Sequence, residues 1–184
     1  MSNIEIIDNF FDKDTFLEIT SKIYDGSWVF GSSSNREQST NGNIIEEKIN
    51  GNYLNPSSKT IPFWNMDLSK SNYFKNIIFS TIKDKLNIDY KIDLIYANGQ
   101  TFGQSGDCHI DHINGYTFLL YCNRIWNFDW GGKTAFLYPD NTTEYIDAKP
   151  NRAIFFPGSI IHRSEEVSRN FTGLRITLAY KLLP

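Results

Sequence analysis

The sequence predicts a mainly β fold with helices at its N-terminal end, and three observations carry that prediction. Aromatic residues reach 15% of the 184-residue chain, with fourteen Phe, ten Tyr and four Trp, and such side chains suit pleated, half-buried surfaces. Beyond Asn87, short runs rich in Ile, Tyr, Phe and Leu alternate with clusters of Gly, Asn, Asp and Pro, the pattern of an antiparallel sandwich or barrel. Before Asn87 the apolar residues recur at three- and four-residue intervals instead.

Taken in order, residues Asp12 to Tyr24 predict a helix. Phe16, Ile19 and Ile23 share its inner face, Asp12 or Asp14 serves as cap, and Gly26 stops it. From Gly31 to Lys59 the chain is crowded with Ser, Asn and Gly and buries little. It reads as loops or a short hairpin near Ile44–Ile49, either a functional rim or a plain insertion. A second helix is expected from Ser69 to Leu86, with Phe74, Ile77, Ile78, Ile82 and Leu86 as its core stripe. Eight strands follow: Lys91–Ala97, Cys108–Ile113, Tyr116–Cys122, Lys133–Tyr138, Thr143–Ile146, Arg152–Phe156, Ile161–Ser164 and Thr172–Leu182. With no internal repeat and no linker, the expectation is one domain over 1–184. Residues 1–88 form its helical N-terminal layer with the polar insertion, and 89–184 its β core.

Composition narrows the function. No apolar run approaches the ~18 residues of a membrane span, and the N-terminus shows no basic stretch ahead of an apolar core. A net charge of −3 leaves no electrostatic footprint for nucleic acid. Cys108 and Cys122 are too few for a disulfide scaffold, so a reduced, cytoplasmic setting is expected.

Three histidines occur: His109, His112 and His162. His109 and Asp111 are two residues apart in an expected strand, hence on one face about 6.6 Å apart at the backbone. His162 opens another strand after the turn Phe156-Pro157-Gly158-Ser159. Two His and one carboxylate on one face leave open coordination positions, the arrangement that suits Fe(II) oxygen chemistry. A surface His–Asp pair and a satisfied core histidine would read the same, and zinc is a rival because Cys108 and His112 lie nearby. Alternation, however, puts those two on the face opposite His109. Arg175, in an otherwise apolar strand, adds a second signal. A guanidinium facing a β core needs an anion, and a dicarboxylate co-substrate would supply one. Arg163 should face away from its neighbour His162, and Arg169 sits in a polar loop.

The stretch Tyr96-Ala97-Asn98-Gly99-Gln100-Thr101-Phe102-Gly103-Gln104-Ser105-Gly106-Asp107-Cys108-His109-Ile110-Asp111 resembles the prolyl-4-hydroxylase-like 2-oxoglutarate/Fe(II) oxygenases. So do Tyr116–Asn123, Trp130-Gly131-Gly132-Lys133-Thr134-Ala135-Phe136, Arg152–Gly158, His162 and Arg175–Leu178, all in the family's order. The opening Ile6–Phe11 looks like the family's lead-in to its first helix.

The resemblance implies a double-stranded β-helix, the jelly-roll (cupin-like) core of that superfamily. It implies Fe(II) held by His109, Asp111 and His162, O2 as oxidant, and 2-oxoglutarate paired through Arg175. Tyr121 matches a tyrosine whose hydroxyl assists the same carboxylate, and Tyr96 one that lines the pocket. Either tyrosine could equally be core packing. Lys133 departs from the family's usual Glu, so local pairing there must differ. Asp111 favours hydroxylation over halogenation, which lacks that carboxylate. The substrate implied by default is a peptidyl proline. A free amino acid or other small metabolite stays open, and so does a non-catalytic metal-binding jelly roll or a cupin-like non-redox enzyme. The polar Gly31–Lys59 segment and the aromatic Trp126–Trp130 stretch are candidates for the site's rim.

Overall fold

The computed structural model describes residues 4–32 and 62–184; the expected hairpin near Ile44–Ile49 lies outside the described residues. Helix α1 (Lys13–Tyr24) starts where the sequence places it. The Asp12 carboxylate accepts hydrogen bonds from the Thr15 amide at 2.9 Å and the Thr15 hydroxyl at 2.7 Å, satisfying donors that the first turn leaves free. Phe16, Ile19, Thr20 and Ile23 are its buried face.

The second helical segment differs from expectation at its start and on its stripe. It comprises a π-helical stretch, α2 (Tyr73–Ile78), running into α3 (Phe79–Leu86). Ser69 instead hydrogen-bonds the Asp67 carboxylate through its amide, which keeps it in a turn. Phe74, Ile78 and Ile82 are buried, but Ile77 is 60% exposed. The wider π turn takes more than four residues per revolution, so fourth-residue spacing stays on one face and Ile77 rotates off it. The Tyr180 hydroxyl donates to the Phe74 carbonyl at 2.9 Å, tying this irregular turn to the sheet.

The strands are β1 (Glu5–Ile7), β2 (Val29–Ser32), β3 (Phe63–Asp67), β4 (Lys91–Gln100), β5 (Tyr116–Tyr121), β6 (Thr134–Leu137), β7 (Thr143–Ile146), β8 (Ala153–Pro157), β9 (Ile161–Ser164) and β10 (Arg175–Leu183). All pairings between them are antiparallel, in a seven-stranded sheet ordered β1-β8-β5-β10-β4-β3-β2 and a three-stranded sheet ordered β7-β6-β9. Their inner faces meet through Tyr121, Ile154 and Phe156 of the large sheet and Phe136 and Ile146 of the small one. This is the two-sheet jelly-roll architecture.

β1, β2 and β3 come from before residue 89 yet belong to the large sheet, so the division at residue 88 is one of sequence pattern and not of layers. β1 and β2 are short edge strands whose residues are largely exposed, and they carry no period-two signal to read. Cys108–Ile113 is a correction, because it is not a strand. Only His109 pairs, in an isolated bridge with His162. The next amides, of Asp111 and His112, both turn to the single carbonyl of Gly158 at 2.8 and 3.2 Å, which ends the ladder after one residue.

β10 runs through the centre of the large sheet, paired with β4 on one side and β5 on the other. Ile176, Leu178, Tyr180 and Leu182 enter the main core with Phe118, Leu120, Ile95 and Ala97, each large apolar side chain contributing roughly 1.5–3 kcal/mol on burial. The alternate residues Arg175, Thr177, Ala179 and Lys181 line a cavity on the other face, as the two-residue period of a strand requires.

Candidate active site

The cavity has a volume of about 610 Å³ and lies between the two sheets. β4 contributes Tyr96, Asn98 and Gln100 to its wall, and His109, Asp111, His162 and Thr134 line it as well. Among the described residues, His109, Asp111 and His162 are the group of His, Cys, Asp or Glu whose ligand atoms converge, all within 4.8 Å of one another.

Backbone geometry makes that convergence. His109 and His162 exchange N–H···O bonds at 3.0 and 2.9 Å, which places their rings 4.4 Å apart. His109 Nδ1 lies 2.8 Å from the Asp107 carbonyl and His162 Nδ1 lies 2.9 Å from the Ile160 carbonyl. A carbonyl oxygen only accepts, so each Nδ1 carries a proton and each Nε2 is left pointing at Asp111. The Nε2 atoms are 3.3 Å from Asp111 Oδ1 and 3.4 Å from Asp111 Oδ2.

Burial lowers the His162 pKa to about 3, with Asp111 pulling the other way and His109 and Lys181 adding to the drop. His162 is therefore a neutral imidazole at neutral pH, with a lone pair facing a carboxylate. Burial pushes Asp111 up, but Lys181, His162 and His109 outweigh it and hold the group well below the ordinary carboxylate value. Lone pairs meeting lone pairs call for a cation between them, and imidazole plus carboxylate with positions left open fits Fe(II).

Arg175 meets the expectation of a buried, inward guanidinium. It is 2% exposed; its Nε donates to the Gly132 carbonyl at 2.7 Å and its Nη1 to Gln100 Oε1 at 2.9 Å. Its Nη2 is buried and has no hydrogen-bond partner among the described residues. A buried donor left unpaired costs about 1–3 kcal/mol, which an anion entering the cavity would recover. Burial lowers the Arg175 pKa from its usual value, and Tyr121 partly offsets that. Gly132 sits at φ +66°, and a Cβ there would lie 2.8 Å from Arg175 Cδ; the bare backbone is what lets the guanidinium in.

The two tyrosines divide. Tyr96 lines the cavity. Tyr121 lies beneath Arg175, whose guanidinium carbon is 5.3 Å from its ring centroid. The Tyr121 hydroxyl is engaged with Thr134 Oγ1 at 2.6 Å and the Ile146 carbonyl at 3.3 Å. Arg163 turns away from the triad to Glu165 at 2.8 Å, and Arg169 is exposed. Cys108 is buried with Ile110 and Ile161; His112, contrary to the alternation expected of a strand, lines the same cavity as His109, where it pairs with Asp93 at 2.9 Å. Lys133 pairs with Asp147 at 2.9 Å on the surface.

Of the expected rim, Ser32 lines the cavity, and residues 33–59 lie outside the described residues. No residue from Trp126 to Trp130 lines it. That stretch packs Trp126 and Trp130 against Phe171, and Trp130 borders a separate apolar groove with Trp28 and Leu174.

Lys181 and Thr117 were not singled out in the sequence. The Lys181 ammonium contacts Asp111 Oδ2, to which Thr117 Oγ1 also donates at 2.5 Å. Burial alone would lower the lysine's pKa, but Asp111 and Tyr96 more than offset it and the net shift is upward. A signal did exist, since Lys181 is an even number of residues from Arg175 and shares its face.

A jelly roll with a His, Asp, His cluster and a buried arginine on one cavity defines the class of 2-oxoglutarate/Fe(II) oxygenases. Residues 94–180 match the sequence model of the 2OG-Fe(II) oxygenase superfamily. The enzymes of that superfamily use Fe(II), 2-oxoglutarate and O2. The fold is similar to that of a 2OG-Fe(II) family oxidoreductase from Burkholderia pseudomallei, with 10% identity, a TM-score of 0.72 and coverage of 98% of this chain and 84% of that one. A prolyl hydroxylase from Trichoplax adhaerens, in complex with a hypoxia inducible factor peptide fragment, is similar over 100% of this chain and 84% of its own, with 15% identity and a TM-score of 0.68. The viral collagen prolyl hydroxylase of Paramecium Bursaria Chlorella virus-1, in a 2OG complex, covers 98% and 96%, with 16% identity and a TM-score of 0.58. Comparison with curated proteins by sequence finds no match. No helix among the described residues is long and apolar enough to cross a membrane.

Proposed function

We propose that residues 1–184 act as one 2-oxoglutarate/Fe(II) hydroxylase domain in which His109, Asp111 and His162 hold the metal and Arg175 holds the distal carboxylate of 2-oxoglutarate. The carrying observation is the Nη2 of Arg175, unpartnered among the described residues and on the same cavity as the triad. When bound, iron and the keto acid supply an oxidant strong enough for an unactivated C–H bond, with succinate and CO2 as co-products. The chain's own part is binding and orientation.

The Asp107 and Ile160 carbonyls fix both imidazole tautomers. Thr117 and Lys181 orient the Asp111 carboxylate. Gln100, itself hydrogen-bonded to Ser164, and the Gly132 carbonyl aim Arg175. Tyr121 supports Arg175 from below through its ring, and Tyr96 shapes the wall beside Lys181. The substrate in this reading is a prolyl residue of a peptide, as in the names of the similar hydroxylases, or a free amino acid or other small metabolite. Two free, buried cysteines support a reducing, cytoplasmic setting.

The test is anaerobic addition of Fe(II) and 2-oxoglutarate to the apoprotein, followed by visible spectroscopy for the metal-to-ligand charge-transfer band. Parent protein develops the band. His109→Ala does not, and Arg175→Ala needs ~10- to 100-fold more 2-oxoglutarate to reach it. An unchanged 2-oxoglutarate affinity in Arg175→Ala would sink that residue's role.

A further inference from the structure

We propose that Lys181 selects a substrate carrying an anionic group, a carboxylate or a phosphate, beside the C–H bond to be oxidised. This rests on the functional reading above and names the substrate class for the same site.

Lys181 is the one buried lysine among the described residues. It lines the cavity, contacts Asp111 and places its ammonium 5.6 Å from the Tyr96 ring centroid. It shares a strand face with Arg175 but lies six residues further along, about 20 Å of strand. The two buried cations therefore mark separate regions of one wall, with the Asp111 cluster at the Lys181 end.

A charge count over the loaded site follows from these residues. Asp111 and one carboxylate of 2-oxoglutarate cancel the two positive charges of Fe(II). The other carboxylate cancels one of the two side-chain cations, Arg175 or Lys181, and imidazoles that ligate a metal are neutral and add nothing. One positive charge is left over. The remaining charged groups of the wall are already engaged, Asp93 with His112 and Arg163 with Glu165. A buried cation without a counter-ion is costly. Of the two, Arg175 takes the 2-oxoglutarate carboxylate, so the surplus falls at Lys181. An anionic group of the substrate completes the balance there and holds its attached carbons beside the triad. The α-carboxylate of a free amino acid, a metabolite phosphate and an acidic side chain next to a peptidyl proline all share this chemistry.

The experiment uses anaerobic protein loaded with Fe(II) and 2-oxoglutarate, titrated with acetate, inorganic phosphate and, as the uncharged control, acetamide. The charge-transfer band is the readout. Acetate or phosphate is expected to shift it saturably, and acetamide is not. In Lys181→Met, read against that variant's own Fe(II)/2-oxoglutarate band, the anion response weakens at least ~10-fold, and Lys181→Arg retains it. Lys181→Gln serves if Lys181→Met does not fold.

A parent band indifferent to both anions overturns the proposal. So does an equal response to acetamide, a band abolished because the anion displaces 2-oxoglutarate, or a response intact in Lys181→Met. Absence of any band in the parent refutes the oxygenase reading itself, and the assignment of Lys181 with it. Acetate against phosphate separates the two anions. Repeating the titration with L-proline and with acetyl-Asp-Pro-amide separates a free acid from an acidic peptide.

Discussion

His109 and His162 lie 53 positions apart in the chain and are joined by a reciprocal pair of backbone hydrogen bonds, at 3.0 and 2.9 Å, in a bridge that extends no further in either direction. The pairing belongs to the main chain and so does not depend on the imidazoles it positions. Scaffold and ligands are separable there.

That separation predicts the behaviour of the alanine variants. A divalent ion at 100 times its dissociation constant stabilises the parent by about 2.7 kcal/mol, seen as a rise in thermal midpoint on adding Mn(II) or, anaerobically, Fe(II). His109→Ala should melt close to the metal-free parent and lose the metal-induced rise. His162→Ala should lose the rise too but start lower, because His162 is packed against Phe136 and Phe156. A metal-induced rise surviving in both variants would place the ion elsewhere.

Asn151 is the joint between the N-terminal segment and the sheet. Its side chain accepts from the Phe11 amide at 3.0 Å and donates to the Phe11 carbonyl at 2.7 Å, and its own carbonyl accepts from the Phe10 amide at 2.9 Å. It does so at φ 58°, a conformation that asparagine tolerates better than most residues. Asn151→Ala should cost about 2–4 kcal/mol, from two lost buried hydrogen bonds and the strained backbone. Urea unfolding reads this directly, and Asn151→Gly should recover only the backbone part.

Asp8 gives a pH-dependent contact. Arg152 and then Lys149 hold its carboxyl at about 2, against an ordinary 3.8. A pKa depressed on folding means stability that is present above 3.8 and lost as the pH falls through about 2. The side chain is 36% exposed, so solvent screening limits the pair to about 1 kcal/mol or less. Asp8→Asn should therefore unfold at lower urea than the parent at pH 6, and the gap should close near pH 2. A gap of constant size would mean that the ion pairs contribute nothing.

Much of the site was legible because its chemistry is carried by rare residue types. With three histidines in the chain, the spacing of His109, Asp111 and His162 was informative, and a lone arginine in an apolar run flagged Arg175. Lys181 was missed although it lies in the same expected strand, Thr172–Leu182, and the same argument applies to it. The helix boundary at Ser69 and the place of Ile77 depended on a π turn, which has no signature in apolar spacing. Strands β1 and β2 escaped because edge strands gain their stability from the neighbour they pair with rather than from an inward apolar face of their own. Cys108–Ile113 looked like a strand because apolar and polar residue types nearly alternate along it. The backbone bonds of Asp111 and His112 to Gly158 decide otherwise, and backbone partners are not written in side-chain pattern.

The alternation along β10 has an evolutionary consequence. Positions 177, 179 and 181 can change what the enzyme accepts while 176, 178 and 180 go on holding it together, so new specificities are reachable by single substitutions that leave the fold untouched. The converse is an intolerance of length. Inserting or deleting one residue within the strand would send Tyr180 into the cavity and Lys181 into the core, exchanging the two roles at a stroke. Homologues are therefore expected to vary in residue type along this strand and to keep its length.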